Sequence, residues 1–348
     1  MQNLSNPKLV AIVLNYNGLR FLEECFDSLF KQTYDNMEVV MVDNGSSDGS
    51  VEFVNQRFPE VHVLRNERNL GYSEGNNLGI RYAAGRSAAL VLILNNDVSV
   101  ERKAVEKMVK VATSREQVGI VGPLIRDLED RNNVQELGLD CDILAFPVPS
   151  SRKFRPGIVS PFYVSGCAML IKREVLVEVG LFDPSYFMLA EDLDLCWRAR
   201  LAGYQVVATS DATIYHKSGG TLIGGIARGR IHKTTVSRLY YSRRNSFQTL
   251  VKNYGSLALA IMLPSTVAFY VVSLIASELL GQIDVSRAYI LAMIWNVRNM
   301  PSTLQRRMLV QSMRKVSDRA IIKKLDWKSG LVRAYRSAGR LEVVRQPK

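Results

Sequence analysis

Residues 88–94 run Ala-Ala-Leu-Val-Leu-Ile-Leu without a charge and stop at Asn95-Asn96-Asp97. An apolar run this short, rich in Leu, Val and Ile, reads as a strand buried on both faces, as in a parallel sheet. Its abrupt polar end delivers the Asp97 carboxylate to the carboxyl edge of a central strand, where open α/β sheets bind ligands. A carboxylate there can hold a hard divalent cation, and the cation a diphosphate. The competing reading is that Asp97 caps a helix starting near Val100.

Other runs repeat the pattern. Residues 9–14 are apolar and end in Asn15-Tyr16-Asn17-Gly18; a helix with Phe21, Leu22, Cys25, Leu29 and Phe30 on one face is expected next. Residues 38–42 form a strand ending at Asp43, followed by a loop of small turn-formers, residues 44–50, in which Asp48 or Ser50 would cap a helix. Residues 61–64 are a third strand, and the segment from Asn69 to Asn77 opens another helix. Strand-helix alternation at this spacing predicts an α/β fold with a doubly wound, mostly parallel sheet. Neither a Gly-x-Gly-x-x-Gly turn after the first strand nor a Gly-Lys-Ser/Thr phosphate loop is present, which disfavours a dinucleotide oxidoreductase or a P-loop nucleotidase. An Asp ending the second strand can accept hydrogen bonds from a base or ribose; an Asx turn that only tightens the loop is the alternative.

Residues 119–162 have weak periodicity and several prolines, and read as edge strands with a mobile loop over the site. Residues 162–171 read as a strand with small residues at its centre, and 172–179 as a short helix. Cys167 reads as packing rather than as a nucleophile. Then comes Glu191-Asp192-Leu193-Asp194, at the start of a helix whose apolar stripe is Leu193, Cys196, Trp197 and Leu201. Acids suit a helix start, but three in four residues exceed capping needs. Asp192 can therefore project into a site as a general base, a role that requires its ionised form. His216 is a candidate for a metal or diphosphate site, against the commoner structural role of a lone histidine. From Arg228 to Arg244 the chain is basic. Arg243 and Arg244 are candidates for a diphosphate leaving group, against a solvated helix face.

With 348 residues, 47% of them hydrophobic, the chain can bury one large α/β core. Four scattered cysteines without a Cys-x-x-Cys pair argue against a zinc cluster or a disulfide framework. The polar amino terminus lacks the apolar stretch of a signal peptide, so the first domain is expected in the cytosol. The net charge of +12 is concentrated: residues 298–348 hold 14 Lys and Arg against 3 Asp and Glu. The preceding 22 uncharged residues, 256–277, interrupted by Pro264, can cross a bilayer, and 288–297 form a shorter apolar patch. A single crossing would separate the first domain from the basic tail. A re-entrant, interfacial or hairpin arrangement at the cytoplasmic face of the cell membrane is therefore favoured over one span, with the tail on anionic phospholipid. A nucleic-acid partner would call for aromatic residues among the charges, and the tail offers only Trp327 and Tyr335.

Five motifs in order resemble family-two inverting glycosyltransferases of the GT-A fold, in the rhamnosyltransferase-like branch. They are VAIVLNYNG (10–18), VMVDNGSSDGS (40–50), NLGYSEGNNLG (69–79), LNND (94–97) and EDLDLCWR (191–198). The resemblance implies a GT-A domain over residues 1–250, with a nucleotide-sugar half at 1–118 and an acceptor half at 119–250. Membrane-associated helices at 251–300 and a basic tail at 301–348 would follow. It implies that Asp43 binds the nucleotide base and that Asp97, helped by His216, holds Mn2+ or Mg2+ with the diphosphate. Asp192 would be the catalytic base, and Asn15, Asn17, Asn76, Asn77, Asn96 and Glu191 would line the donor. Asn95 stands where many members carry the first Asp of Asp-x-Asp. The Gln-x-x-Arg-Trp motif of processive synthases is absent, so transfer of a single sugar from a nucleotide-diphosphate sugar is expected. The acceptor would be a hydroxyl of a membrane glycan or lipid-linked saccharide. The rival readings are an inactive sugar-nucleotide-binding scaffold and a basic nucleic-acid-binding protein.

Overall fold

The structure is a computed structural model that describes residues 6–148, 156–217, 226–228, 231–327 and 340–343. Its first elements alternate as the apolar runs require: β1 (Leu9–Asn15), α1 (Leu19–Phe30), β2 (Met37–Asp43), α2 (Ser50–Arg57), β3 (His62–Arg65), α3 (Gly71–Gly85) and β4 (Leu90–Asn95). The short β5 (Val98–Val100) and α4 (Ala104–Ser114) come next, then β6 (Val118–Asp127) and β7 (Val134–Glu136). Two-residue strands β8 (Asp140–Cys141), β9 (Pro147–Val148) and β10 (Ile158–Val159) precede β11 (Ala168–Lys172), α5 (Arg173–Val179), α6 (Glu191–Leu201) and β12 (Gln205–His216). The remainder is β13 (Ile226–Arg228), β14 (Ile231–Thr234), α7 (Val236–Asn253), α8 (Ser256–Leu279), α9 (Ile283–Arg298), α10 (Met300–Ser312), α11 (Asp318–Ile322) and β15 (Arg340–Val343).

The chain divides into two compact units. Met1–Leu139 with Ser150–Thr221 forms the first, and Asp140–Pro149 with Leu222–Lys348 the second. The expected boundary at residue 250 therefore moves: α7 packs on α9 and α10 and belongs to the second unit.

In the first unit a ten-stranded sheet runs β10-β12-β6-β11-β4-β1-β2-β3, with β5 on β12 and β7 on β6. Neighbours β4-β1-β2-β3 and β12-β6 are parallel, while β11 inserts antiparallel between β4 and β6. One face of β1 (Leu9, Ala11, Val13) packs into a core with Leu22, Cys25, Phe26 and Leu29 of α1, Val51 and Val54 of α2, and Val105 and Met108 of α4. On the other face α3 lies so close that a Cβ at Gly79 would fall 2.6 Å from Ile12 Cγ2. Helices thus cover both faces, as buried parallel strands demand. Two local expectations shift. In α1 it is Phe26, not Phe30, that is buried, and Phe30 is exposed. The strand expected over 162–171 begins only at Ala168, because residues 165–167 leave the ladder to serve the site described below.

In the second unit α7, α8 and α9 enclose a core of Leu239, Tyr270, Val285, Ala288 and Tyr289 with Leu144 and Phe146. Helix α8 buries one stripe, Ala258, Met262, Thr266 and Tyr270, at four-residue spacing. The rest of this apolar helix is largely exposed. Residues 149–155, 218–225, 229–230, 328–339 and 344–348, which include parts of the expected mobile loop, basic run and tail, lie outside the described residues.

Candidate active site

Strand register gathers the polar ends of the apolar runs. Asn15 is paired directly with Asp43, and Leu14 with Asn95, so β1, β2 and β4 present their polar termini along one edge. Asn15 is the hub: its Nδ2 donates to Asp43 Oδ1 (3.1 Å) and Ser46 Oγ (3.1 Å), and its Oδ1 accepts from Asn96 Nδ2 (2.7 Å). Gly18 is required beside this hub, since a Cβ there would strike the Asn96 amide and lie 2.6 Å from Asn15 Oδ1. Asp43 is buried, and its Oδ2 accepts from Ser46 N (3.0 Å), so the carboxylate also tightens the loop that follows it. Each carboxylate oxygen keeps a second acceptor position. Asn17 is exposed at φ 50° and accepts from Ser47 N at 2.9 Å. Of the two expected caps of α2, Ser50 is the first helical residue and Asp48 lies just before the helix. Asp48 accepts from Ser50 N (3.1 Å) and also from Leu19 N (2.9 Å), tying the starts of α1 and α2 together and holding its carboxyl below the usual range despite partial burial.

Asp97 caps nothing, because the next helix starts only at Ala104. Its side chain is buried, and Oδ1 accepts no hydrogen bond. What faces that oxygen is His216 Nε2, at 3.4 Å. The pairing follows from topology: the end of β12 runs antiparallel to β5, setting His216 opposite Val98, and Lys217 N donates to the Asp97 carbonyl (3.0 Å). Among the described residues no cluster of three or more His, Cys, Asp or Glu side chains forms a closed cation cage. A buried carboxylate oxygen without a hydrogen-bond donor, facing an imidazole nitrogen, nevertheless suits a hard divalent cation whose other ligands come from a substrate and water.

Asp192 reaches the same edge by another route. Asn95 N donates to the Cys167 carbonyl (3.0 Å), and one residue earlier Gly166 N donates to Asp192 Oδ2 (3.0 Å). Leu193 N holds the other oxygen at 2.7 Å. Burial pushes the Asp192 carboxyl up, while these backbone bonds pull it back. Just before the helix, Leu189 and Ala190 both adopt positive φ (70° and 66°), a strained pair of about 1–3 kcal/mol each that sets the direction in which α6 starts. The remaining acids have different duties. Asp194 is fully buried and pairs with Arg198 Nε at 2.9 Å, while Arg198 also donates to the carbonyls of Val179 (2.6 Å) and Leu181 (2.9 Å). Glu191 is buried at the first helical position.

Residues missed in the sequence stand beside Asp192. Glu136 of β7 is half-buried, hydrogen-bonded to Ser165, and close enough to feel the Asp192 charge; burial and that charge raise its carboxyl to about 7. Tyr72 donates to the Gly166 carbonyl, so one residue, Gly166, links the phenol and Asp192 through its C=O and N–H. Cys167 is buried and its thiol is held well above the usual range, which suits packing and not nucleophilic attack. Of the expected donor-lining amides, Asn77 is committed elsewhere: it donates to Glu74 Oε2 (3.0 Å) and the Phe182 carbonyl (2.8 Å), and accepts from Phe182 N (3.1 Å). Asn76 is fully buried, donating to the Tyr72 carbonyl at 3.0 Å. Arg243 and Arg244 lie in the second unit, buried and stacked on rings. Arg243 sits 5.0 Å from the Phe146 centroid and Arg244 4.3 Å from that of Trp295. That is a packing role which a basic run cannot announce.

Residues 10–180 match the family model described as Glycosyl transferase family 2. The chain belongs to that family. The transferase falls in its rhamnosyltransferase-like branch. It is 28% identical over 237 residues to the N-acetylglucosaminyl-diphospho-decaprenol L-rhamnosyltransferase of Mycobacterium tuberculosis, an alignment covering 61% of this chain and 77% of the relative. To the dTDP-rhamnosyl transferase RfbF of Shigella flexneri it is 25% identical over 296 residues, covering 84% and 96%. Among solved structures it is similar to the mannosyltransferase PcManGT of Pyrobaculum calidifontis in complex with GDP-Man and Mn2+, with TM-score 0.51, 18% identity and 88% and 86% coverage. It is also similar to GalNAc-T7 with UDP, GalNAc and Mn2+, with TM-score 0.52, 19% identity and 61% and 43% coverage. These likenesses fix the GT-A fold. The activity is glycosyl transfer from a nucleotide-sugar donor.

Proposed function

We propose that this transferase moves one sugar from a nucleotide-diphosphate sugar to a hydroxyl of a lipid-linked saccharide or other membrane glycan, with inversion at the anomeric carbon and with a divalent cation. The observation that carries this reading is the orphaned Asp97 oxygen facing His216, on the sheet edge that also receives Asp192. Asp97 and His216 would hold Mn2+ or Mg2+, which neutralises charge on a departing diphosphate. Asp43, backed by Asn15 and Asn96, would accept from the nucleotide base. Asp192, fixed by two backbone donors, would take the proton of the acceptor hydroxyl as that oxygen attacks the face opposite the leaving group. One displacement with one base inverts the configuration.

The acceptor class is supported by the decaprenol-linked substrate in the name of the mycobacterial relative and by the second unit. Helix α8 has 24 residues, about 36 Å at 1.5 Å per residue, enough to cross a hydrocarbon core of about 30 Å. Its stripe packed on the helical core favours lying in the interface over spanning it. Leu257, Ile261, Val272, Ile275 and Leu279 of α8, and Ile283 and Val297 of α9, are exposed apolar side chains. Exposed Arg287, Arg298, Arg319 and Lys323 lie on the same unit and suit anionic head groups at a cytoplasmic surface. The test is a panel of sugar nucleotides scored by thermal stabilisation of the full chain with and without Mn2+, followed by the anomeric configuration of the product. Stabilisation by no sugar nucleotide, or a retained configuration, refutes the proposal.

A further inference from the structure

We propose that Gln135 is a positioning residue for the cation pair, fixing His216 so that its Nε2 lone pair points at Asp97. Two independent features carry this. The first is a bulge in β7. Register on β6 pairs Arg126 with Val134 but Ile125 with Glu136, so Gln135 is an extra residue between two paired ones. A bulge of this kind turns a side chain out of the ladder's alternation and is frequent beside active sites. The second is a set of three hydrogen bonds that leaves the amide one orientation. Gln135 Nε2 donates to Asp127 Oδ2 (3.1 Å) and to the His216 carbonyl (2.9 Å). Both are acceptors only, so a flipped amide would set its oxygen against two oxygens. Oε1 is therefore the atom 3.2 Å from His216 Nδ1, and Nδ1 carries the hydrogen. In the neutral ring Nε2 then has the lone pair, and it confronts Asp97 Oδ1 across 3.4 Å. Two acceptors face to face call for a positive centre between them. Ligating histidines ordinarily have their second nitrogen anchored in this way, and loss of the anchor weakens metal binding by about 10–100-fold.

This inference rests on the cation reading above, and the experiment separates the two. Mn2+ binding to the full chain is followed by the electron paramagnetic resonance signal of free Mn2+, with and without inorganic pyrophosphate, alongside thermal unfolding of the cation-free protein. Gln135→Met removes all three bonds and is expected to weaken Mn2+ about 10–100-fold. Gln135→Glu keeps an acceptor for Nδ1–H but sets a carboxylate against Asp127 and the His216 carbonyl. Positioning predicts that Glu binds Mn2+ better than Met although its cation-free form unfolds more easily. A role confined to tying the two strands together predicts that Mn2+ affinity follows stability, with Glu the worse. In a His216→Ala background, Gln135→Met should cost no further affinity. Wild-type affinity in Gln135→Met, or affinity that only tracks stability, overturns the role of Gln135 and leaves the cation reading intact. Mn2+ binding absent from the wild type, or unchanged by Asp97→Ala and His216→Ala, overturns both.

Discussion

Replacing Glu136 by Gln should make the protein more stable at alkaline pH and leave it unchanged in acid. In the folded chain burial and the Asp192 charge raise the Glu136 carboxyl to about 7, from an ordinary value of 4.5, with His216 and Ser165 pulling the other way. The sign follows from linkage. Below pH 4.5 the group is protonated in folded and unfolded chains alike and costs nothing. As pH rises towards 7 the unfolded chain sheds the proton first, and stability is lost until the folded form ionises too. The gap corresponds to a ceiling of about 3 kcal/mol, which the partial exposure of the side chain lowers to about 1–2 kcal/mol. Urea unfolding read by the buried Trp197, with Trp295 and Trp327 changed to Phe, tests this at pH 4.5 and pH 8. The variant should gain about 1–2 kcal/mol at pH 8 and no more than about 0.4 kcal/mol at pH 4.5, where half of the unfolded chains have ionised. The same substitution removes a negative charge beside Asp192. That charge is present only as pH approaches 7, so the acid limb of kcat/KM, where Glu136 is already protonated, should stay in place. An equal difference at both pH values, or a variant less stable than wild type at pH 8, refutes the argument.

Three further outcomes are expected. Asp192→Asn should keep the thermal shift given by the sugar nucleotide while kcat falls by about 10²–10⁴; near-normal turnover removes Asp192 as the base. Asp97→Ala should abolish the Mn2+-dependent part of donor stabilisation, and a donor shift still enhanced by Mn2+ would sink the ligand assignment. On α8, Leu257 and Val272 are 79% and 64% exposed, so Leu257→Glu with Val272→Glu should leave the unfolding temperature within a few degrees. The pair should also release the protein from vesicles of anionic phospholipid; undiminished co-sedimentation with those vesicles contradicts an interfacial role for this helix.

The parallel half of the sheet was legible because strands buried on both faces are written as unbroken apolar runs, and β1, β2 and β4 end where the polarity changes. That Asn15, Asp43 and Asp97 stand at or just past the polar ends of those runs was legible for the same reason. Elsewhere the determinants are long-range. Nothing local shows that residues 165–167 leave a strand to hold Asp192, or that β12 continues to His216 against β5. At the head of α6 the sequence sets Asp192 apart as the candidate base, yet nothing local shows that Asp194 is spent on Arg198. Gln135 and Glu136 sit in a stretch of weak periodicity because a bulge spoils the alternation that pattern reading depends on. Arg243 and Arg244 read as candidates for a diphosphate until the rings that receive them are seen.

The meeting of His216 with Asp97 also bears on how the chain matures. These residues are joined only after β6, β11 and β12 have been added to the sheet, so a chain emerging amino terminus first presents Asp97 long before its partner exists. Closing so long a loop costs entropy that only the finished ladder repays. The earliest strands can therefore collapse around the apolar core without the Asp97–His216 contact being in place. That contact becomes a late event, reserved for molecules in which β12 has docked against β5 and β6.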